Sequence, residues 1–565
     1  MEKRAVLAIV LSLVVVVLWS IFFAPAPPPP PSEVSEPTPS PSAPPIGVGT
    51  PQPAAPVSPG AVSSTAPIPE RPPSAPATEE VFVTVDTGVA RFTLSSQGAS
   101  VRAVQLQAYH TTLAKGAPPI EIAPVPGSTT LPLHAELTME QRVTSLGQVV
   151  FTPSQTELTL STSQPEGTVA FHGDLGNGRT VHRLYRFHHT NYTFEVSTWV
   201  EGLQPPAGSS MFLLWGPGLL RHVDDVGRQG QTAEHPRSYV SGKVLHEAPK
   251  KPGETQVLQG QVAWTALADT YFAVVLMPQE PTGDAVMARR LEGDTLEIGL
   301  RTPLTQGQAK QRVRVYVGPK SQPLLEAAEP SLDKLIDLGF FSPLARPMLQ
   351  FLRLINGWMH NYGVTIILTT ILIKIAFWPL TQTSYKSMQA MQKLQPKLKE
   401  LQVVYKDDRQ ALNRAMMQLY REHKVNPMGG CLPMVLQIPV FFAFYNALLY
   451  AIELRHAPFI CWDTELWWIG RGICDLSVYD PSYVTPVLMG ITMFIQQKMT
   501  PTTGDPAQAK IMQFMPLMFL MFFLKAPAGL VIYWLVNNVL SIAQQMIINR
   551  TYAPGMAKPT VVSKG

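Results

Sequence analysis

Hydrophobic positions fall into successive regimes along the chain. Val6–Phe23 is apolar apart from Ser12 and Ser20. From Glu79 the period becomes two. Val81, Val83 and Val85 alternate with Phe82, Thr84 and Asp86; Tyr192, Phe194, Val196 and Thr198 alternate with Thr193, Glu195 and Ser197. Val313, Val315 and Val317 alternate with Arg312, Arg314 and Tyr316. Such alternation, broken by Gly and Pro, predicts half-buried strands of a β-sandwich larger than an immunoglobulin domain. Past residue 326 the spacing is helical. Ser331–Leu338 reads as a helix start capped by Ser331, and Arg346–Met359 as an amphipathic helix that lies in an interface. Val364–Leu380, Leu432–Ile452, Tyr483–Met499, Ile511–Leu524 and Leu530–Ile548 are apolar enough to span a bilayer. Between the first two, Ser384–Lys424 reads as a helical hairpin. Met388, Met391, Leu394, Leu398, Leu401 and Tyr405 form one seam, Leu412, Met416 and Leu419 the other, and Pro396 is expected to kink the first arm.

Composition changes the picture at the N-terminal end. Ala24–Thr78 holds 20 prolines and four charged residues, so it cannot bury a core and reads as an extended, disordered spacer. Val6–Phe23 reads as an uncleaved anchor. A cleaved signal peptide is the alternative, disfavoured by the length of the run and by the prolines after Ala24 and Ala26.

Charge sets orientation. The hairpin carries nine Lys/Arg against four acids, net +5, and the tail from Asn549 carries three basic residues and no acid. The Glu453–Ser482 loop carries five acids against two arginines, net −3. The positive-inside rule puts hairpin and tail in the cytoplasm and the acidic loop outside. Lys3 and Arg4 keep the N-terminus inside, so six spans satisfy every assignment and the β-domain lies outside. A net charge of +4 argues for no specific nucleic acid. Cys461 and Cys474 share the outer loop, where a disulfide and free thiols are both open readings.

Motifs for catalysis are absent: there is no HExxH, no G-x-x-x-x-G-K-[ST] and no G-x-S-x-G. Neither enzyme chemistry, a metal nor a cofactor is expected. Lys374 is the unusual residue, because a lysine near a bilayer centre costs about 2.5–3.5 kcal/mol. It lies about 15 Å along the helix from Val364 and about 9 Å from Leu380. Snorkelling to the nearer interface is one reading; a wet groove inside a helix bundle is the other. Thr370, Gln437, Gln496, Asn537, Ser541 and Gln544 add polar groups, so that four helices carry them, which favours the groove.

Asn426–Leu448 (NPMGGCLPMVLQIPVFFAFYNAL), Pro486–Pro501 (PVLMGITMFIQQKMTP) and Phe514–Asn538 (FMPLMFLMFF…APAGLVIYWLVNN) resemble the YidC/Oxa/Alb family of membrane protein insertases. Tyr316–Lys320 and the hairpin segment KLQPKLKELQ fit as well, and over the β-domain Ala263–Pro278 does. The resemblance implies an insertase that places and helps fold newly made proteins in the inner membrane, alone or with the Sec translocon. It implies a polytopic α-helical fold of six transmembrane helices, with a five-helix core around a hydrophilic groove and a periplasmic all-β supersandwich of galactose-mutarotase type. The groove set is then Lys374, Thr370, Gln437, Gln496, Tyr533, Trp534, Asn537 and Ser541. Lys374 stands where the family usually has arginine, which keeps the charge without the planar fork. The hairpin residues Lys393, Lys397, Lys399, Arg409 and Arg414 are implicated in receiving clients. Nascent membrane proteins, the Sec translocon, the ribosome and membrane lipids are the implied partners. The expected divisions are an anchor (1–23), spacer (24–78), β-domain (79–325), interfacial helices (326–362), insertase core (363–549, with the 384–424 hairpin) and a short cytoplasmic tail (550–565). A solute or ion transporter using the intramembrane lysine is the alternative; it predicts internal repeats, and none is visible. A β-sandwich binding module anchored by helices leaves the polar groups unexplained.

Overall fold

A computed structural model describes residues 79–552, except 124–129, 141, 220–234, 247, 280–284, 292–294, 306–309, 407, 424, 426–431, 467–469 and 500–505. The expected anchor (1–23), the spacer (24–78) and the tail beyond 552 lie outside the described residues.

The period-two segments are strands. Val83 and Val85 are buried in Phe82–Asp86, and Val313, Val315 and Val317 in Lys310–Pro319. Thr193–Glu201 buries every second residue. Phe272–Pro278 is apolar throughout and buried on both faces, as its position inside the nine-stranded sheet requires. That sheet runs, edge to edge, Lys243–Leu245, His235–Val240, Val262–Ala268, Phe272–Pro278, Lys310–Pro319, Thr193–Glu201, Arg179–His188, Glu166–Gly176 and Phe151–Pro153. A six-stranded sheet and a five-stranded sheet complete this β-rich part.

The chain leaves the sheets through helix α1 (Gln322–Ala328) and a 3-10 turn, Pro330–Leu335. Ser331 does not cap a helix, contrary to the sequence expectation. It sits inside the turn, where its hydroxyl accepts from the indole Nε1 of Trp264 at 3.1 Å. A fully buried tryptophan needs a partner for its N–H, and that tertiary demand takes the hydroxyl. Helix α2 (Ser342–Met359) buries Ala345, Met348, Leu349, Leu352 and Ile355. Its other side exposes Phe351, Leu354 and Trp358, with Phe340 just before it.

Helix α3 (Tyr362–Ala376) starts at Asn361, whose Oδ1 accepts from the N–H of Val364. The stretch Val364–Leu380 is not one straight element. Helix α4 (Trp378–Val404) begins at Trp378, and its first part, to Met391, makes 66° with α3. Pro379 gives the reason: it offers no N–H to the carbonyl four residues back and its ring crowds that carbonyl, yet it suits the first turn of a new helix. Pro396 lies farther inside α4, which continues past it.

Helix α5 (Arg409–Glu422) is capped by Asp408, whose Oδ1 accepts from Gln410 and Ala411, and returns along α4. Met391, Leu394, Leu398 and Tyr420 form their own buried cluster with Met416, Leu419 and Val425 against it. Helix α6 (Leu432–Tyr450) leads into the acidic loop. That loop contains a two-stranded ribbon, Ile460–Leu466 with Gly470–Ile473, unforeseen from the pattern. Cys461 and Cys474 are disulfide-bonded across it, Cα atoms 4.8 Å apart. Helices α7 (Val484–Met499), α8 (Pro506–Phe523) and α9 (Ala528–Tyr552) follow. Asp480 prepares α7 by accepting from Ser482 and Thr485 through both backbone and side chain.

Among the described residues, Ala528–Arg550 is long and apolar enough to cross a membrane, and α3 with the start of α4 qualifies as a bent pair. Gln437–Tyr450 and Gln513–Phe523 are shorter apolar helices. One apolar core runs from the sheets into the helices. The Arg455 guanidinium joins the two parts, donating to the His110 carbonyl at 2.9 Å and lying 5.9 Å from the Phe272 ring centroid.

Candidate functional site

Helix α9 organises the site because its polar residues occur at helical spacing within an apolar run. Asn537, Ser541 and Gln544 fall at i, i+4 and i+7, so they share a face. The Lys374 ammonium on α3 donates to Ser541 Oγ at 2.8 Å. Ser541 in turn donates to the carbonyl of Asn537 at 2.7 Å. Tyr385 on α4 is hydrogen-bonded to the same serine. One turn farther, Gln544 Nε2 donates to Thr381 Oγ1 at 2.7 Å, just past the α3–α4 bend. Thr381 Oγ1 also donates to the Phe377 carbonyl at 3.0 Å, which already accepts from the Thr381 N–H, so the hydroxyl reinforces the first turn of α4. The result is a polar seam along α3, α4 and α9, with half-buried Lys374 as its charge. Among the described residues no carboxylate pairs with that ammonium.

The residues singled out from sequence do not all meet. Lys374 and Ser541 join directly, and Asn537 takes part through its backbone carbonyl. Thr370 is buried one turn before Lys374 and spends its hydroxyl on the Ile366 carbonyl at 2.7 Å. Gln437 on α6 donates to the Tyr533 hydroxyl at 2.6 Å, a separate link near the start of α9. Trp534 packs in an aromatic cluster with Phe441, Phe519 and Phe523, ring centroids 4.8–5.8 Å away. Gln496 is half-buried on α7. Sequence reasoning missed Tyr385, Asn538 and Gln545. Asn538 reaches Thr492 Oγ1 and Gln545 reaches the Met499 carbonyl, so α9 carries a second polar stripe toward α7. The i, i+7 spacing of Asn538 and Gln545 was the available signal.

The hairpin presents exposed Lys393, Lys397, Lys399 and Arg414 beside its buried seam. The Arg409 side chain lies outside the described residues. Between α7 and α9 an apolar crevice of about 390 Å³ is lined by Leu488, Thr492, Leu535, Val536, Val539 and Leu540. Chemically, the seam supplies a positive charge held by a neutral hydroxyl, so an incoming acidic or polar group can exchange with Ser541 without breaking an ion pair.

Residues 354–555 match the family described as 60Kd inner membrane protein, and residues 82–351 match the YidC periplasmic domain. The chain is 37% identical over 563 residues to the membrane protein insertase YidC of Syntrophus aciditrophicus, covering 97% of this chain and 100% of that relative. It is 38% identical over 576 residues to the YidC insertase of Geobacter metallireducens, covering 99% and 100%. Among solved structures it is similar to an active YidC insertase with its first transmembrane domain resolved, at 18% identity and a TM-score of 0.35, covering 85% of this chain and 94% of that one.

Proposed function

The chain belongs to the YidC family of membrane protein insertases, and from that premise we propose how its residues carry out insertion. It is a non-enzymatic insertase of the inner membrane, with a periplasmic domain, acting on newly made membrane proteins. In our reading Lys374 is the receiving charge. A polar or acidic flank of a client meets the ammonium in the seam, displaces Ser541 as its partner, and crosses with part of its desolvation offset. Without such a seam each charged residue costs about 2.5–3.5 kcal/mol at the membrane centre. The remaining polar residues, Thr370, Gln437, Gln496, Tyr533, Asn537 and Ser541, grade the path, and Trp534 walls it.

The charge pattern supports six spans with both termini cytoplasmic, the hairpin inside and the Cys461–Cys474 loop outside. The β-domain (79–325) is then the periplasmic supersandwich. The interfacial segment (326–362) rests on the outer headgroups through exposed Phe340, Leu354 and Trp358, ahead of the 363–549 core. The exposed lysines of the hairpin, with Arg409 and Arg414, are the docking surface for ribosome, Sec translocon or anionic lipid.

The Lys374–Ser541 bond, which sets the one charge of α3 against the polar face of α9, carries this reading. Two clients, one with an acidic and one with a neutral translocated tail, are followed in cells relying on each variant. Lys374→Arg should insert both. Lys374→Met should lose the acidic-tailed client by tenfold or more while keeping the neutral one. Equal insertion of both by the Met variant and the parent overturns the electrostatic role.

A further inference from the structure

The nine-stranded sheet carries a second polar constellation, far in sequence from the helices. His172 and His182 are direct cross-strand partners on Glu166–Gly176 and Arg179–His188. Their Nδ1 atoms are 2.7 Å apart, with the rings edge-on at 81° and centroids 4.9 Å apart. The next strand, Thr193–Glu201, fixes one of them. His182 stacks on Trp199, its own cross-strand partner, at 5.0 Å and 8°. The Glu201 carboxylate lies 3.3 Å from His182 Nε2 and accepts from Trp199 Nε1 at 3.4 Å.

We propose that this pair is a binding site for a late first-row divalent transition-metal ion, held by the Nδ1 atoms of His172 and His182 and completed by solvent. Three features support it. Two imidazole nitrogens lie within 2.7 Å of each other, one from an exposed ring and one from a half-buried ring. The far nitrogen of His182 lies 3.3 Å from the exposed Glu201 carboxylate without a hydrogen bond to it, and a small rotation of that side chain would make the bond that fixes a ligating histidine's tautomer and raises its basicity. Stacking on Trp199 holds that ring before any ion arrives. At a metal–nitrogen distance of about 2.0–2.1 Å, a right-angled pair of ligands places its nitrogens ~2.9 Å apart and a tetrahedral pair ~3.3 Å apart. The observed 2.7 Å is shorter than either, so an ion would spread the pair slightly, and the preference for Cu(II) over Ni(II) and Zn(II) follows from the general affinity order of nitrogen sites. Among the described residues no third His, Cys, Asp or Glu joins the pair, so water fills the other positions. Lys310, whose Nζ lies 5.1 Å from the Trp199 ring centroid, adds a positive charge that the Glu201 carboxylate offsets.

The rival is an imidazole–imidazole hydrogen bond, with one Nδ1 donating to the other. Titration of the full chain in detergent with Cu(II), Ni(II) and Zn(II), by calorimetry and by electron paramagnetic resonance for copper, separates the two. We expect one equivalent of Cu(II) with hyperfine structure from two nitrogens, bound more tightly than Ni(II) or Zn(II). His172→Gln and His182→Gln should each weaken it at least tenfold, and Glu201→Gln about tenfold. His188→Gln, on the same strand but paired with Glu166, should leave it unchanged. Parental melting of each variant confirms its fold. No stoichiometric copper, or binding that both histidine variants retain, means a hydrogen bond only and overturns the proposal.

Discussion

Lys320 shows how much one buried charge decides at the residue scale. Its side chain is almost fully enclosed, donating to the Asp269 carbonyl at 2.7 Å. Burial, with Arg237 nearby, pushes its pKa down to about 8. The folded chain therefore releases this proton before the unfolded chain does. Between about pH 8 and the ordinary lysine value near 10.4, the unfolded state binds more protons and stability rises with pH. Lys320→Met should match or exceed the parent's stability at pH 7, by on the order of 3 kcal/mol at most, and should lose the rise toward pH 9.5. Circular-dichroism melts of the full chain at both pH values check this; an unchanged slope would contradict the assignment. Gly363 is decided by contact alone. A Cβ there would lie 2.1 Å from Phe459 Cδ2 and 2.6 Å from its Cβ, so rotating the ring cannot relieve the clash. Gly363→Ala should destabilise by about 1–3 kcal/mol, read as a lower melting temperature, and Phe459→Ala in the same chain should recover only the part due to the ring, because its Cβ stays in place. Lys374 stood out in sequence because charge is rare in an apolar run, and Thr381, seven residues on, reads as part of its polar face. Tyr385 did not, because a tyrosine in a helix has many ordinary explanations, and what makes it notable is the packing of α4 against α9.

Elements were readable where one period ran long enough. Alternation over Thr193–Glu201 and Lys310–Pro319 identified strands, and the 3–4 spacing of Met391, Leu394 and Leu398 identified the hairpin seam. Two elements defeated the pattern for physical reasons. The bend at Phe377 leaves hydropathy unbroken, so only Pro379 marks it. The Ile460–Leu466 ribbon is short and is tied by a disulfide and by the Asn361 Nδ2 bond to the Phe459 carbonyl at 3.0 Å, contacts invisible to periodicity. The hairpin's small private core makes it locally fragile. Leu398→Ala should speed tryptic cleavage after Lys393, Lys397 and Lys399 severalfold while leaving the melting of the sheets unchanged. Equal cleavage rates would mean that the seam does not hold the arms together.

At the scale of the whole molecule, sheets and helices share one apolar core. The domain boundary that composition suggests near residue 326 is therefore a change of architecture within continuous packing. The Cys461–Cys474 link closes a short loop after helix α6, worth about 3 kcal/mol in chain entropy. Cys461→Ser with Cys474→Ser, or added reductant, should lower the melting temperature of the helical part; identical melts with and without reductant would show the bond to be dispensable. The contact that joins the two parts, Arg455 to the His110 carbonyl, spans 345 positions. At about 5–20 residues per second of synthesis, Arg455 is made roughly 17–70 s after His110. For that interval the edge-on Tyr109 and Phe272 rings have no arginine over them, and the sheets must fold, stay soluble and wait. The β-domain is thus obliged to be self-sufficient at birth, and its docking onto the helices becomes the closing event of the protein's own biogenesis.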